Sequence, residues 1–156
     1  MERRYAGLLE ASGQIITLTI LAVGILDNRF SWSPSLSTPL RAFGGMLVAG
    51  GFALSAWAMS ANAHYSATLS QSQRGHKLAS GGPYRLVRHP GYTGFILGWL
   101  GAPLLLGSLW ALVPSLIGSW LTVMRTAGED RVLQEELPGY REYAESVRFR
   151  LLPRIW

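Results

Sequence analysis

The sequence contains no cysteine and little charge. The absence of cysteine among its 156 residues excludes disulfide bonds, thiolate metal sites and a cysteine nucleophile. Charged residues make up only 15% of the chain, whereas an ordinary soluble domain carries about 25%. Hydrophobic residues make up 49%, and the mean hydropathy is +0.20. These values predict a protein embedded in a lipid bilayer, with a soluble helical bundle as the alternative.

Three long apolar runs account for the low share of charged residues. A helix needs roughly 20 mostly apolar residues to cross the hydrocarbon core, and runs 6–26 and 39–61 each have that length. The first span is expected to end at Asp27-Asn28-Arg29, and an interfacial turn that contains Phe30, Trp32 and two prolines is expected to follow. The third run, 91–124, is too long for one span and short for two, and Pro103, Gly107 and Pro114 interrupt it. It predicts a tight helical hairpin that turns near Gly107.

The fold class predicted from these runs is all-α: a polytopic membrane protein with about four transmembrane helices, the last two a tight hairpin, and a cytoplasmic C-terminal helical tail. A single domain, 1–156, is expected. Residues 1–61 form its two N-terminal spans, and residues 62–156 form a loop, the hairpin and the tail.

The basic residues predict the orientation. With four spans, 12 of the 14 Lys and Arg residues fall on the side of the two termini, and only Arg29 and Arg41 fall on the other. The positive-inside rule therefore predicts a multi-pass integral membrane protein with cytoplasmic N- and C-termini. The net charge of +5 is scattered beside apolar segments, which favours membrane lipids over nucleic acid as the partner.

A metal site is not expected. The three histidines, His64, His76 and His89, are too far apart for a helical metal pair, and few carboxylates lie near them in the sequence.

Segment 74–94 contains several residues that are suited to binding a ligand. Pro90 favours an extended His89 and suits the first turn of a helix, whose N-terminus attracts anions. Gly91 leaves room for close approach of a ligand, and the rings of Tyr84 and Tyr92 suit a flat base or a sulfonium cation. Each feature alone also fits a structural role. Their concentration within 21 residues indicates a binding site.

Arg125 and Glu129 mark a second segment, at the point where the last apolar run ends. On a helix these two residues lie one turn apart on the same face, with the Arg first, which is the weaker order for an ion pair. Ionisable residues at a membrane edge indicate function. A snorkelling Arg beside a solvated Glu explains the pair equally well.

The two segments together resemble a known family, the isoprenylcysteine carboxyl methyltransferases and phospholipid methyltransferases. The resemblance covers roughly residues 71–156. Its motifs are a Gly-Pro-Tyr, an Arg-His-Pro-x-Tyr-x-Gly, an Arg-x-x-x-Glu-Glu and a Gly-x-x-Tyr-x-x-Tyr region that ends in a proline. Here they read as 82–84, 88–94, 125–130, and Gly139-Tyr140 with Tyr143 and Pro153. Asp130 stands where the family has its second Glu.

This resemblance implies S-adenosylmethionine as the cofactor. By position, it implies that Glu129 is the acidic cofactor ligand and that Arg125 faces the substrate. The other implied cofactor contacts are Gln71, His76, Lys77, Leu78, Ala79, Tyr84, His89, Pro90, Gly91 and Tyr92.

The acceptor stays open at this point. Methyl transfer to a lipophilic carboxylate, thiol or amine, or to a lipid-modified substrate, is the first hypothesis. An NADPH-dependent membrane reductase of the sterol-reductase kind shares a His-Pro-x-Tyr region, although such enzymes are generally longer. A non-catalytic membrane protein that retains the fold is the third possibility. The oligomeric state is not predicted.

Overall fold

The computed structural model describes residues 2–62 and 78–156, with side chains from Ala11 onward in the first range. The described residues form five α-helices and no strand: α1 (Glu2–Phe30), α2 (Thr38–Ala61), α3 (Pro90–Leu106), α4 (Leu112–Glu136) and α5 (Tyr140–Ser146). A short 3-10 helix, Gly82–Arg85, precedes α3. The all-α prediction is confirmed for this part of the chain.

Two of the helices are long and apolar enough to cross a membrane. They contain the stretches Ala11–Phe30 and Thr38–Ala61, while Pro90–Leu106 is a shorter apolar helix. The core helix of a soluble protein would be mostly buried, yet only 17% and 22% of the most apolar windows of α1 and α2 are buried. Large side chains such as Leu18, Ile25 and Phe52 are well exposed. Lipid is the solvent that suits such surfaces.

The contacts divide the described chain into two compact units. The first comprises Met1–Phe52 and Phe95–Leu121, and the second comprises Ala53–Gly94 and Thr122–Trp156.

Small residues allow close helix packing in the first unit. A Cβ added at Gly44 of α2 would lie 2.7 Å from the carbonyl oxygen of Gly101 in α3 and 2.5 Å from the backbone nitrogen of Leu105. No side chain larger than hydrogen fits there. By contrast, no described atom lies within 4 Å of a Cβ at Gly50. Among the described residues, α2 therefore approaches α3 closely at Gly44 and not at Gly50.

The first helix ends close to where the sequence predicts. The expected end is at 27–29, and α1 ends at Phe30. The Asp27 carboxylate is buried and accepts hydrogen bonds from the Ser33 amide at 2.7 Å, from the Ser33 hydroxyl and from the Ser108 hydroxyl. A charge compensated in this way can remain inside the helix, and the turn follows at residues 31–37.

The predicted hairpin turn is confirmed. Helix α3 ends at Leu106 and α4 begins at Leu112. Gly107 between them has φ +76°, a left-handed conformation that glycine adopts without strain.

Candidate functional site

The candidate site lies in the second unit, where the start of α3 meets the second half of α4. Pro90 is the first residue of α3, as the sequence predicts. His89 precedes it, and its backbone N–H donates to the Arg150 carbonyl at 2.9 Å. The start of α3 is therefore held by the C-terminal segment of the chain, and His89 and Tyr92 face residues of α4.

The Tyr92 ring is the centre of the site. The ring of His89 stacks on it, with centroids 5.8 Å apart and planes 6° apart. The Arg125 guanidinium lies 5.2 Å from the Tyr92 centroid, which is within cation–π range. The Tyr92 hydroxyl donates to the Glu129 carboxylate at 2.7 Å. His89, Tyr92, Arg125 and Glu129 thus come together from two elements that are more than 30 positions apart in the sequence.

Arg125 and Glu129 form only a loose ion pair. The shortest nitrogen–oxygen distance between them is 3.8 Å, beyond hydrogen-bond length. Their side chains are 34% and 38% exposed. Both charges are therefore accessible to a ligand, and the salt bridge does not by itself account for either residue.

The adjacent acid, Asp130, is completely buried and is surrounded by donors. Arg88 binds it in bidentate fashion, with Nε–Oδ1 at 2.7 Å and Nη2–Oδ2 at 2.8 Å. Arg150, Tyr140 and Gln134 each donate to it at 2.9 Å. Both carboxylate oxygens are thereby occupied, so Asp130 organises the site without being available to a ligand.

The histidine of the site also contacts this carboxylate. His89 Nε2 lies 3.4 Å from Asp130 Oδ1 and 3.5 Å from the Tyr140 hydroxyl. The imidazole is buried, and its position between Asp130 and the Tyr92 ring restrains its orientation.

The hydrogen bonds around Asp130 determine the ionisation states of Asp130 and Tyr140. Burial raises the pKa of the Asp130 carboxyl, but hydrogen bonds from His89, Arg150, Arg88 and Tyr140 outweigh it and hold that pKa well below the usual range. Burial and then the neighbouring Asp130 charge raise the pKa of Tyr140 far above its ordinary value. Asp130 is therefore an anion and Tyr140 a neutral donor at physiological pH.

The C-terminal segment closes the cluster. Arg88 Nη1 donates to the carbonyls of Val147 and Arg148 at 3.0 and 3.2 Å, and the Arg88 amide donates to the Phe149 carbonyl at 2.9 Å. The Thr93 hydroxyl donates to the Leu151 carbonyl at 2.8 Å. Residues 147–151 are thus fixed against the first turn of α3, which makes the tail part of the site's framework.

A glycine turn directs Tyr140 toward Asp130. Gly139, between α4 and α5, has φ +81°, where a larger residue would be strained. The turn reverses the chain so that Tyr140 and Tyr143 of α5 pack inside the unit, and the Tyr143 hydroxyl donates to the Tyr84 carbonyl at 2.7 Å.

The structure brings some of the site residues predicted from the sequence together and leaves others apart or undescribed. His89, Pro90, Gly91, Tyr92, Arg125 and Glu129 lie together, and Tyr84 is joined to the same unit through Tyr143. Leu78 and Ala79 are half-buried residues in a segment without regular structure. Gln71, His76 and Lys77 lie outside the described residues, as does His64. Among the side chains that the structure describes, those of residues 11–62 and 78–156, no group of three metal-ligating side chains is present.

Sequence reasoning missed the framework of the site. Arg88, Tyr140 and Asp130 belonged to recognised motifs but were given no role, and Gln134 and Arg150 were not singled out. One feature of the sequence pointed to this framework: a second acid, Asp130, directly follows Glu129. Neighbouring side chains on a helix point about 100° apart, so the two carboxylates must lie in different environments. Nothing local shows that Asp130 is bound by residues at 88, 140 and 150.

Comparison with known proteins gives the family. The profile of the phospholipid methyltransferase family matches residues 40–138. Two curated relatives, from Oryza sativa subsp. indica and subsp. japonica, are each named "Probable protein-S-isoprenylcysteine O-methyltransferase" and are 32% identical over 74 residues. That alignment covers 46% of this chain and 39% of each relative. No solved structure matches the chain. Because the family profile spans more than half of its length, and includes α3 and the part of α4 that carries Arg125, Glu129 and Asp130, the chain belongs to the phospholipid methyltransferase family.

Proposed function

We propose that this protein is a membrane methyltransferase that uses S-adenosylmethionine to methylate a lipophilic acceptor at the cytoplasmic face. The observation that carries the proposal is the meeting of His89, Tyr92, Arg125 and Glu129 at the start of α3. Family membership supports methyl transfer, and the name of the two rice relatives supports an isoprenylated acceptor with a reacting carboxylate.

The chemistry of the residues fits the cofactor. S-adenosylmethionine supplies a methyl group activated by a positively charged sulfur, together with an ammonium group and a flat base. The half-buried Glu129 carboxylate suits the ammonium group, and aromatic faces suit a sulfonium or a base. Around Gly91 there is room, since a Cβ placed there would meet its nearest described neighbour, Ala58, only at 4.0 Å. The cofactor would be held by Glu129 with Tyr84, His89, Pro90, Gly91 and Tyr92, and on the preceding strip by Gln71, His76, Lys77, Leu78 and Ala79.

Arg125 is suited to hold an anionic acceptor. Among the described residues its guanidinium makes no hydrogen bond, because its contact with Glu129 is 3.8 Å long and its other contact is with the Tyr92 ring. The five N–H donors of a guanidinium bind a carboxylate well. By fixing the acceptor beside the cofactor, Arg125 lowers the barrier through alignment. A carboxylate or thiolate acceptor needs no general base.

The proposal includes a topology. Four spans, of which the last two are the hairpin of α3 and α4, place both termini and residues 62–89 in the cytoplasm. In this arrangement residues 1–156 act as one methyltransferase domain. The support is the positive-inside count together with the exposed apolar surfaces of α1 and α2.

Calorimetric titration of the purified protein in detergent with S-adenosylmethionine tests the cofactor assignment. The wild type is expected to bind, and Glu129→Gln is expected to bind at least about tenfold more weakly because the ammonium loses its charged partner. Glu142→Gln is the matched control, since Glu142 is an exposed acid of α5 outside the site. Equal affinity of the Glu129→Gln variant and the wild type would contradict the role of Glu129.

The same titration separates the alternative functions. Binding of NADPH without S-adenosylmethionine would identify a reductase, and binding of neither by folded protein would identify a non-catalytic member. Transfer of labelled methyl into a membrane extract, followed by analysis of the labelled product, then identifies the acceptor.

A further inference from the structure

The charges of the second unit are separated along the chain. Segments 78–94 and 146–156 together contain five arginines and no Asp or Glu. Stretch 131–145 contains four glutamates and two arginines, and all six of these charged residues are exposed. The second unit therefore has a basic part and a mainly acidic part.

The two basic segments form one structural element. Backbone hydrogen bonds of 2.9 Å join Arg88 to Phe149 and His89 to Arg150. Two of the five arginines, Arg88 and Arg150, turn inward and bind Asp130. The other three, Arg85, Arg148 and Arg154, are exposed.

Exposed aliphatic side chains accompany these arginines. Leu86 is 58% exposed, Leu152 44% and Ile155 77%, whereas their neighbours Val87 and Leu151 are almost fully buried. The two segments thus have their own buried residues and in addition present leucine and isoleucine to the surroundings. We name the exposed set the basic edge: Arg85, Leu86, Arg148, Leu152, Arg154 and Ile155.

We propose that the basic edge docks on the anionic headgroup layer of the membrane. Arginine and exposed aliphatic residues on one element are the composition of an interfacial membrane-binding surface, in which the guanidinium groups meet lipid phosphates and the aliphatic groups enter the boundary of the acyl chains. Nucleic acid would leave the three aliphatic side chains in water. A second copy bound through the same surface would bring like charges together, because the basic segments contain no acid.

The consequence concerns the candidate site. Arg88 and His89 lie between Arg85 and Pro90, and their amides bind the tail. Docking of the basic edge would therefore hold the start of α3, and with it Tyr92, at the level of the headgroups. This placement does not depend on the nature of the reaction, so it can be tested without any activity measurement.

The absence of cysteine makes the test direct, because single cysteines can be introduced into the full chain without removing any other. Nitroxide labels at Ile155→Cys and Leu152→Cys report the basic edge, and a label at Glu142→Cys on the exposed acidic stretch is the control. The protein is reconstituted in vesicles of phosphatidylcholine with about 30% phosphatidylglycerol. Collision rates are measured with oxygen, which concentrates in lipid, and with a water-soluble nickel chelate.

Labels at 155 and 152 are expected to collide more with oxygen than with the chelate, and the label at 142 the reverse. Equal access of the chelate to all three labels would overturn the proposal. Shielding of 155 from both reagents, in detergent as in vesicles, would also overturn it, because that result indicates a protein contact.

Lipid charge and arginine substitutions test the electrostatic part. Each arginine near an anionic surface is expected to change the ratio of docked to undocked tail about fivefold. The double variant Arg148→Gln/Arg154→Gln should thus shift the label at 155 toward water. The control double variant, Arg131→Gln/Arg141→Gln, should not. If vesicles of phosphatidylcholine alone give the same depth as anionic vesicles, the electrostatic part of the proposal is wrong.

Discussion

Adjacent acids of α4 have opposite environments. The Glu129 carboxylate is 38% exposed and bound mainly by one tyrosine hydroxyl, while that of Asp130 is fully buried among Arg88, Arg150 and Tyr140. One residue can therefore exchange its partners for a ligand, whereas the other cannot do so without dismantling the framework. The family motif places two acids side by side, and the structure gives them different surroundings.

Replacing the buried acid should destabilise the second unit. Asp130→Asn leaves two guanidinium groups without their anion and is expected to lower the free energy of unfolding by about 3 to 5 kcal/mol. Thermal or denaturant unfolding in detergent measures the loss. Glu136→Gln, an exposed substitution on the same helix, should change stability by less than about 0.5 kcal/mol. Similar stability for the two variants would contradict the framework role of Asp130.

The same carboxylate predicts a pH dependence. Its folded pKa is lowered, so its contribution to stability is complete above the ordinary pKa near 4 and is lost as the pH falls through the folded pKa. The wild type should lose stability progressively below about pH 5. Asp130→Asn should be less stable at neutral pH and show a shallower decline. Melting temperatures recorded between pH 7 and pH 3 measure both slopes, and parallel curves would show that another carboxylate is responsible.

The Tyr92 hydroxyl should contribute to cofactor affinity through Glu129. Tyr92→Phe keeps the ring that stacks with His89 and removes the 2.7 Å hydrogen bond to the carboxylate. Hydrogen bonds to charged groups contribute about 1.5 to 3 kcal/mol, and partial exposure reduces that, so a roughly fivefold to tenfold weaker binding of S-adenosylmethionine is expected. Tyr143→Phe, which loses a hydroxyl bond to the Tyr84 backbone instead, should affect stability more than affinity. Calorimetry with a parallel melting curve distinguishes the two effects.

At the scale of elements, the crossing of α2 and α3 depends on two glycines. A Cβ at Gly101 would lie 2.6 Å from the Gly44 carbonyl oxygen and 2.9 Å from the Val48 backbone nitrogen. Gly44→Ala or Gly101→Ala should therefore force the helices apart and destabilise the protein by about 1 to 3 kcal/mol. Gly50→Ala, on the same α2, is the control and should be neutral or slightly stabilising. The measurement is the free energy of unfolding of all three variants in the same detergent. Equal stability of the three would mean that α2 and α3 can accommodate a methyl group at their crossing without cost.

The elements show where sequence reasoning succeeds. The start of α3 at Pro90, the bounds of α2 and the turn at Gly107 follow from proline, glycine and hydrophobic runs, which act locally. No local pattern predicts the hydrogen bond from Ser108 to Asp27, because the two residues are 81 positions apart in the sequence. The framework around Asp130 was missed for the same reason. Local chemistry predicts where a helix starts or turns, but it does not predict which distant donor neutralises a charge.

At the scale of the whole molecule, the proposed topology predicts which loops are accessible from each side. Ser35→Cys lies between α1 and α2, and Ser80→Cys lies just before the 3-10 helix; both serines are exposed. In sealed vesicles with the cytoplasmic side inward, a membrane-impermeant maleimide should label position 35 and not position 80. Permeabilised vesicles should label both, which controls for reactivity. Labelling of both positions in sealed vesicles would contradict the four-span topology.

The environment of Asp27 has a consequence for biogenesis. Its carboxylate is bound by Ser33, which follows it by six positions, and by Ser108, which leaves the ribosome about 80 residues later. In the proposed topology, the first helix therefore enters the membrane during synthesis with this charge only partly compensated. Ser33 is synthesised soon after Asp27 and can bind its carboxylate early. The last hydrogen bond, from Ser108, forms only when the α3–α4 hairpin has been made. Stable integration of the first helix should accordingly depend on translation of the hairpin, so that chains truncated before Ser108 are extracted from membranes more readily than full-length chains.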